Sequence, residues 1–145
     1  MAFSGANVGG TLYISLALPS ADTAGAYNAL TWTTVSGVEK WPEAGDTVAD
    51  ITFTGIDGNT VHMPGAVDGG VGAFAFRSDE LDAGQIALRS VNNSTQEAAF
   101  RFIAADGKKE YSRGLIANVR SNPRDATTYI GFTGEYRVNS RTIRT

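Results

Sequence analysis

Three features of the sequence predict a mainly β domain with one helix. The first is hairpin grammar. Ala99-Phe100-Arg101-Phe102-Ile103-Ala104-Ala105 runs into Asp106-Gly107, and residues 108–119 lead away. Asp-Gly between two such runs is the strongest short-range hairpin signal. With Asp106 and Gly107 as the two central turn residues, Phe102 faces Tyr111 and Arg101 faces Ser112. Such an aromatic cross-strand pair adds roughly 0.2–1 kcal/mol. The second feature is alternation in residues 127–142. Ile130, Phe132, Gly134, Tyr136 and Val138 oppose Tyr129, Gly131, Thr133, Glu135 and Arg137, as in a strand with one buried face. The third is a single helical periodicity, with Leu81, Gly84, Leu88 and Val91 on one face.

The elements follow in order along the chain. Residues 11–18, Thr-Leu-Tyr-Ile-Ser-Leu-Ala-Leu, form a strand stopped by Pro19. Residues 20–29 are small and read as a loop, and residues 30–35, rich in Thr, Trp and Val, as a second strand. Residues 37–45 connect to a third strand at 47–56, and Asp57-Gly58-Asn59 marks a turn. Residues 60–72 are glycine-rich and read as a long loop before strand character resumes at 73–76. Asp79 is the expected N-cap of the helix, with Glu80 and Asp82 at the positive end of its dipole. Asn92-Asn93 stops it. The sequons at Asn92 and Asn93 are read as this helix exit. No repeat or linker divides the chain, so residues 1–145 are one domain with short terminal arms.

Composition narrows the function. The 42% hydrophobic fraction and 10% aromatics argue for a folded core. Charged residues reach only 19%, which suits a chain with much surface covered by partners. Charge is also uneven. Residues 1–76 hold one basic residue against seven acids, a net −6, whereas residues 77–145 hold eleven against eight, a net +3. Two copies could meet head to tail with opposite charge. No apolar run approaches a membrane span, and no basic segment precedes an apolar one as in a signal peptide.

Chemistry-bearing motifs are missing. The chain has no Cys and one His, His62, so a metal site there would need carboxylates alone beside it. His62 therefore reads as a loop histidine. Gly65-Ala66-Val67-Asp68-Gly69-Gly70-Val71-Gly72 lacks the Gly-Lys-Ser/Thr end of a phosphate loop, and Asp57-Gly58-Asn59 lacks the later ligands of a calcium loop. There is no Gly-x-Ser-x-Gly elbow. The basic C-terminal run has only Tyr136 as a stacking aromatic, a weak nucleic-acid signal. No catalytic residue, metal or cofactor is expected.

Several stretches together resemble the major tail tube proteins of long-tailed, siphovirus-type bacteriophages. They are Leu30-Thr31-Trp32-Thr33-Thr34-Val35-Ser36-Gly37-Val38, Glu43-Ala44-Gly45-Asp46, Ile51-Thr52-Phe53-Thr54-Gly55-Ile56-Asp57-Gly58 and Met63-Pro64-Gly65-Ala66-Val67-Asp68-Gly69-Gly70. Asp82-Ala83-Gly84-Gln85 and the Asp106-Gly107 hairpin with Gly114-Leu115-Ile116 complete the order. The similarity lies in that order and spacing, over nearly the whole chain. Gene transfer agents and type VI secretion rings carry related tubes. Two departures are the lack of an extra immunoglobulin-like domain and a short N-terminal arm.

The resemblance implies a β-sandwich or partly open barrel, with the helix plugging one end through its Leu81–Leu88 face. It implies hexameric rings stacking into a hollow tube that double-stranded DNA traverses without tight binding. It further implies tape-measure, tail-tip and terminator proteins as partners, assembly in the host cytoplasm and residence in the virion tail. The loop at residues 57–72, with Asp57, His62, Pro64 and Asp68, is the expected mobile assembly loop. Arg137, Arg141 and Arg144 are expected to meet Glu39, Glu43 or Asp46 of another copy. A rival reading is a monomeric carbohydrate- or receptor-binding β-sandwich on a particle surface. It requires aromatics such as Tyr27, Trp32 and Trp41 exposed on one face.

Overall fold

Alternating Phe, Ile and Val in the predicted strands become one strongly curled antiparallel sheet. The computed structural model describes residues 9–145; the expected N-terminal arm lies largely outside them. Strands are β1 (Thr11–Ser15), β2 (Thr33–Val35), β3 (Val38–Lys40), β4 (Thr47–Thr54), β5 (Thr60–Asp68), β6 (Val71–Arg77), β7 (Ala98–Ile103), β8 (Lys109–Ser121), β9 (Gly131–Val138) and β10 (Ile143–Arg144). Helices are α1 (Ala24–Asn28) and α2 (Ala83–Ser90). The main sheet has the order β2-β1-β7-β8-β9-β6-β3, with β10 also on β8; β4 and β5 form a separate two-stranded sheet.

Strand β8 makes the curl. Its first half pairs with β7 and its second half with β9, and a register shift falls between Ala117 and Arg120. Asn118 there adopts φ 56°, and its N–H donates to Asn93 Oδ1 at 2.9 Å. Val119 N–H donates to Asn92 Oδ1 at 3.2 Å. The helix-exit asparagines thus brace the bulge. Curling puts Leu12, Ile14, Phe74, Phe76, Phe100, Phe132 and Tyr136 into one core, which Leu88 of α2 and Val91 at its C-cap cover. Each such buried side chain contributes about 1.5–3 kcal/mol. The sheet stays open, mainly β with one principal helix, as the sequence predicts.

Helix α2 begins later than expected. Its N-cap is Asp82, whose Oδ2 accepts from Gln85 N–H at 3.0 Å; Asp79 instead closes the preceding turn by accepting from Leu81 N–H at 3.1 Å. Leu81 therefore lies outside the helix and is 92% exposed, so the buried stripe is Gly84, Leu88 and Val91. A Cβ at Gly84 would collide with the Thr34 carbonyl, so the helix seats directly on β2.

Four further expectations change. Residues 20–29 contain α1, which Thr23 caps by accepting from Ala26 N–H at 3.2 Å, and the 37–45 connection contains β3. The Asp106-Gly107 turn is one residue longer than a two-residue hairpin. Ala104 N–H donates to the Lys108 carbonyl and Gly107 takes φ 88°, leaving a three-residue loop of Ala105, Asp106 and Gly107. The register shifts accordingly, pairing Arg101 with Tyr111 and Phe102 with Glu110. Finally, residues 60–68 are strand β5 rather than loop. Thr60 and Val61 are good strand formers, and Thr60, Val61, His62 and Met63 pair in turn with Thr54, Phe53, Thr52 and Ile51. Pro64 is tolerated because β5 is an edge strand, next to an irregularity between Val48 and Asp50.

Candidate functional site

The β4–β5 hairpin stands off the body. Every residue of β4 is exposed, and β5 is exposed throughout except Gly65. Cross-strand partners share a face, so the register sorts the side chains. Ile51 with Met63 and Phe53 with Val61 form one apolar face; Asp50 with Pro64, Thr52 with His62 and Thr54 with Thr60 form a polar one. Phe53 is 61% exposed, and Ile56 at the tip is fully exposed. On the polar face His62 Nδ1 lies 2.8 Å from Asp50 Oδ2, and the Thr54 and Thr60 hydroxyls share a hydrogen bond of 2.9 Å.

Each predicted loop residue has a definite place. Asp57 builds the tip: its Oδ1 accepts from Asn59 N–H at 3.0 Å and its Oδ2 from Asn59 Nδ2 at 3.1 Å. Those bonds, the backbone one foremost, hold the Asp57 carboxyl below its ordinary range. His62 and Pro64 lie on the polar face of β5. Asp68 closes the base, its carbonyl accepting from Thr47 Oγ1 at 3.2 Å and its Oδ1 from Gly70 N–H at 2.9 Å.

The predicted charge contacts divide. Arg137 pairs with Glu135 at 3.3 Å and Arg144 with Glu110 at 3.3 Å, both within the chain. Arg141 makes no ion pair among the described residues; it borders an open cleft with Asp46 and Asp68, and Asp46 Oδ1 accepts from Thr142 N–H at 3.4 Å. Glu39 on β3 and Glu43 beyond it are exposed.

Sequence reasoning did not find the ionic node beneath this region. Arg113 donates to Glu97 Oε2 at 2.6 Å and to Asp22 Oδ1 at 3.4 Å, and Asn139 Nδ2 donates to Glu97 Oε1 at 3.2 Å. The Glu97 bond raises the basicity of Arg113. Residues so far apart in sequence leave no local signal. The aromatics named for a carbohydrate face are engaged in packing, Tyr27 buried and Trp32 and Trp41 half-buried. Tyr27 is buried and stacks on Tyr111 at 5.4 Å, Trp32 packs beside them, and Trp41 lies 5.0 Å from Phe100 and 5.6 Å from Phe74.

Among the described residues, no group of three or more His, Asp or Glu is placed to hold a metal ion, and no helix is long and apolar enough to cross a membrane. No protein-family model and no curated protein sequence matches the chain. Solved structures do. One is a component of the anti-feeding prophage baseplate, 6-fold symmetrised, with TM-score 0.72 and 12% identity over 100% of this chain and 97% of that one. Another is the SPP1 tail tube, with TM-score 0.62 and 11% identity over 94% and 76%. A third comes from the extended sheath–tube complex of PVC, an extracellular contractile injection system, with TM-score 0.61 and 10% identity over 94% and 87%. The chain has the fold that these tube and baseplate proteins share, common to contractile systems and a phage tail tube alike.

Proposed function

We propose that this chain is a structural subunit of a tail-like tube, not an enzyme. Copies close into hexameric rings, and rings stack into a hollow tube that double-stranded DNA traverses. The observation that carries this reading is the free-standing amphipathic hairpin. A two-stranded hairpin is marginal alone in water, and an open edge with an apolar face invites pairing. A second copy of the same chain supplies both a further strand and an apolar cover. Such a contact joins unlike surfaces of two copies, and unlike surfaces close into rings or extend into filaments. In this arrangement the Ile51–Met63 face packs on a neighbour, and the Asp50, Thr52 and His62 face meets water.

The shared fold supports the reading at the level of architecture. Tape-measure, tail-tip and terminator proteins are the proposed partners, with assembly in the host cytoplasm and a final place in the virion tail. Nothing favours the carbohydrate-binding alternative, because Tyr27, Trp32 and Trp41 are occupied in packing. Negative-stain microscopy and sedimentation velocity of the purified chain test the proposal. Rings or tubes are expected as concentration rises. Monomer alone across a wide concentration range, with no tubes even beside an initiator complex, overturns it.

A further inference from the structure

Arg101 of β7 occupies an aromatic slot. Its guanidinium lies 4.2 Å from the Tyr13 ring centroid and 5.1 Å from that of Trp32. Tyr13 and Tyr111 are its cross-strand partners on either side. The walls are fixed from behind: Trp32 Nε1 donates to the Tyr27 carbonyl at 3.1 Å, and the Tyr111 hydroxyl donates to Asn28 Oδ1 at 2.6 Å. Aromatic rings over a guanidinium leave its planar N–H edge as the free side. The Nε of Arg101 is buried and finds no acceptor among the described residues.

Arg113, on the adjacent strand, shows what such an edge takes, since it holds Glu97 at 2.6 Å. A guanidinium fork matches a carboxylate in two parallel hydrogen bonds, and a side chain already held by stacking loses little freedom in making them. The chain also carries acids that lack a partner. Glu39 and Glu43 are exposed and have no side-chain bond among the described residues. Neither meets its own Arg101: the segment between them packs through Trp41 on Phe100, and strand alternation puts Arg101 on the opposite face of β7. The structure assigns Arg101 as a preformed receptor for a carboxylate of a second copy, supplied by Glu39 or Glu43. This rests on the self-assembly reading and deepens it, naming a contact that differs from the C-terminal arginines.

The test compares assembly of the full chain with that of Arg101→Gln, of Glu39→Gln with Glu43→Gln, of Arg101→Glu alone, and of Arg101→Glu combined with Glu39→Lys and Glu43→Lys. Sedimentation velocity gives the concentration at which assemblies appear, and thermal unfolding checks the monomer. The neutral variants should each raise that concentration about tenfold or more, and the reversed set should assemble where Arg101→Glu alone does not. The glutamate variants lie on the surface, so they report on the contact even where Arg101→Gln fails to fold. Wild-type assembly together with unchanged assembly of the glutamate variants overturns this inference and leaves the tube reading intact. Failure of the reversed set to recover overturns it as well. A wild-type chain that never assembles removes the tube reading first, and this contact with it.

Discussion

Tyr136 brings a hydroxyl into a core of aromatic rings. It is buried, lies 4.8 Å from Phe100 and 5.1 Å from Trp41, and shares a 2.6 Å hydrogen bond with the Ser112 hydroxyl. Burial, the dominant cause, holds its phenol far above the ordinary value, and burial likewise raises Tyr27. An unfolded tyrosine titrates at about pH 10. The folded chain therefore keeps a proton that the unfolded chain releases. Stability is fully present below that pH and falls as pH rises through it. Tyr136→Phe should cost about 0.5–1.5 kcal/mol at neutral pH, from the lost hydrogen bond. It should also make the alkaline loss shallower. Denaturant titrations at neutral pH and above the tyrosine range check this, and equal alkaline slopes in both chains refute it.

At the scale of elements, the hairpin differs from all the others in packing mainly on itself. Its apolar residues contribute little to folding of the free chain, because they stay about half exposed in it. Ile51→Ser with Phe53→Ser should therefore leave the melting temperature nearly unchanged, within about 0.5 kcal/mol per site. The same pair should abolish rings and tubes. A large loss of monomer stability would show the hairpin docked on the body instead. Hydrogen exchange gives a second view. Amides of β4 and β5 should exchange quickly in the monomer and slowly in the tube, since both outer edges of the hairpin gain partners there. Equal protection in the two states contradicts that account. Residues 60–68 also explain why a loop was expected: Pro64 and Gly65 interrupt the run, yet Val61 and Met63 still alternate with His62.

For the whole molecule, we propose that the charge asymmetry serves assembly and leaves DNA free to pass. Each Lys or Arg that neutralises a phosphate steepens the salt dependence of duplex binding by about 0.9 in slope, which would hinder sliding. We expect Arg141 to face a subunit or ring contact. Arg144, paired with Glu110 at 3.3 Å, would share its charge between chains. Arg141→Glu with Arg144→Glu should weaken tube formation while circular dichroism of the monomer stays the same. Assembled wild-type tubes should bind duplex DNA weakly. Tight, salt-sensitive binding that the same changes abolish would place these arginines in the lumen.

Local patterns along the chain encode one part of this protein. The β class, the helix stopped at Asn92-Asn93, the buried Phe132–Tyr136 face and the missing catalytic motifs all rest on neighbours within a few residues. Residue order alone also led to the tail-tube resemblance. Tertiary structure decided everything that depends on distant partners. The Arg113–Glu97–Asp22 node, the Arg101 slot, the burial of Tyr27 and the packing of Trp41 on the core join residues far apart in the chain. The Asp106-Gly107 register turned on a single backbone choice, Gly107 in the left-handed region, and one residue of slip exchanges every cross-strand partner. The sorting of the β4–β5 hairpin into an apolar and a polar face has the same origin. Faces are set by pairing register, and register is fixed only when two strands meet.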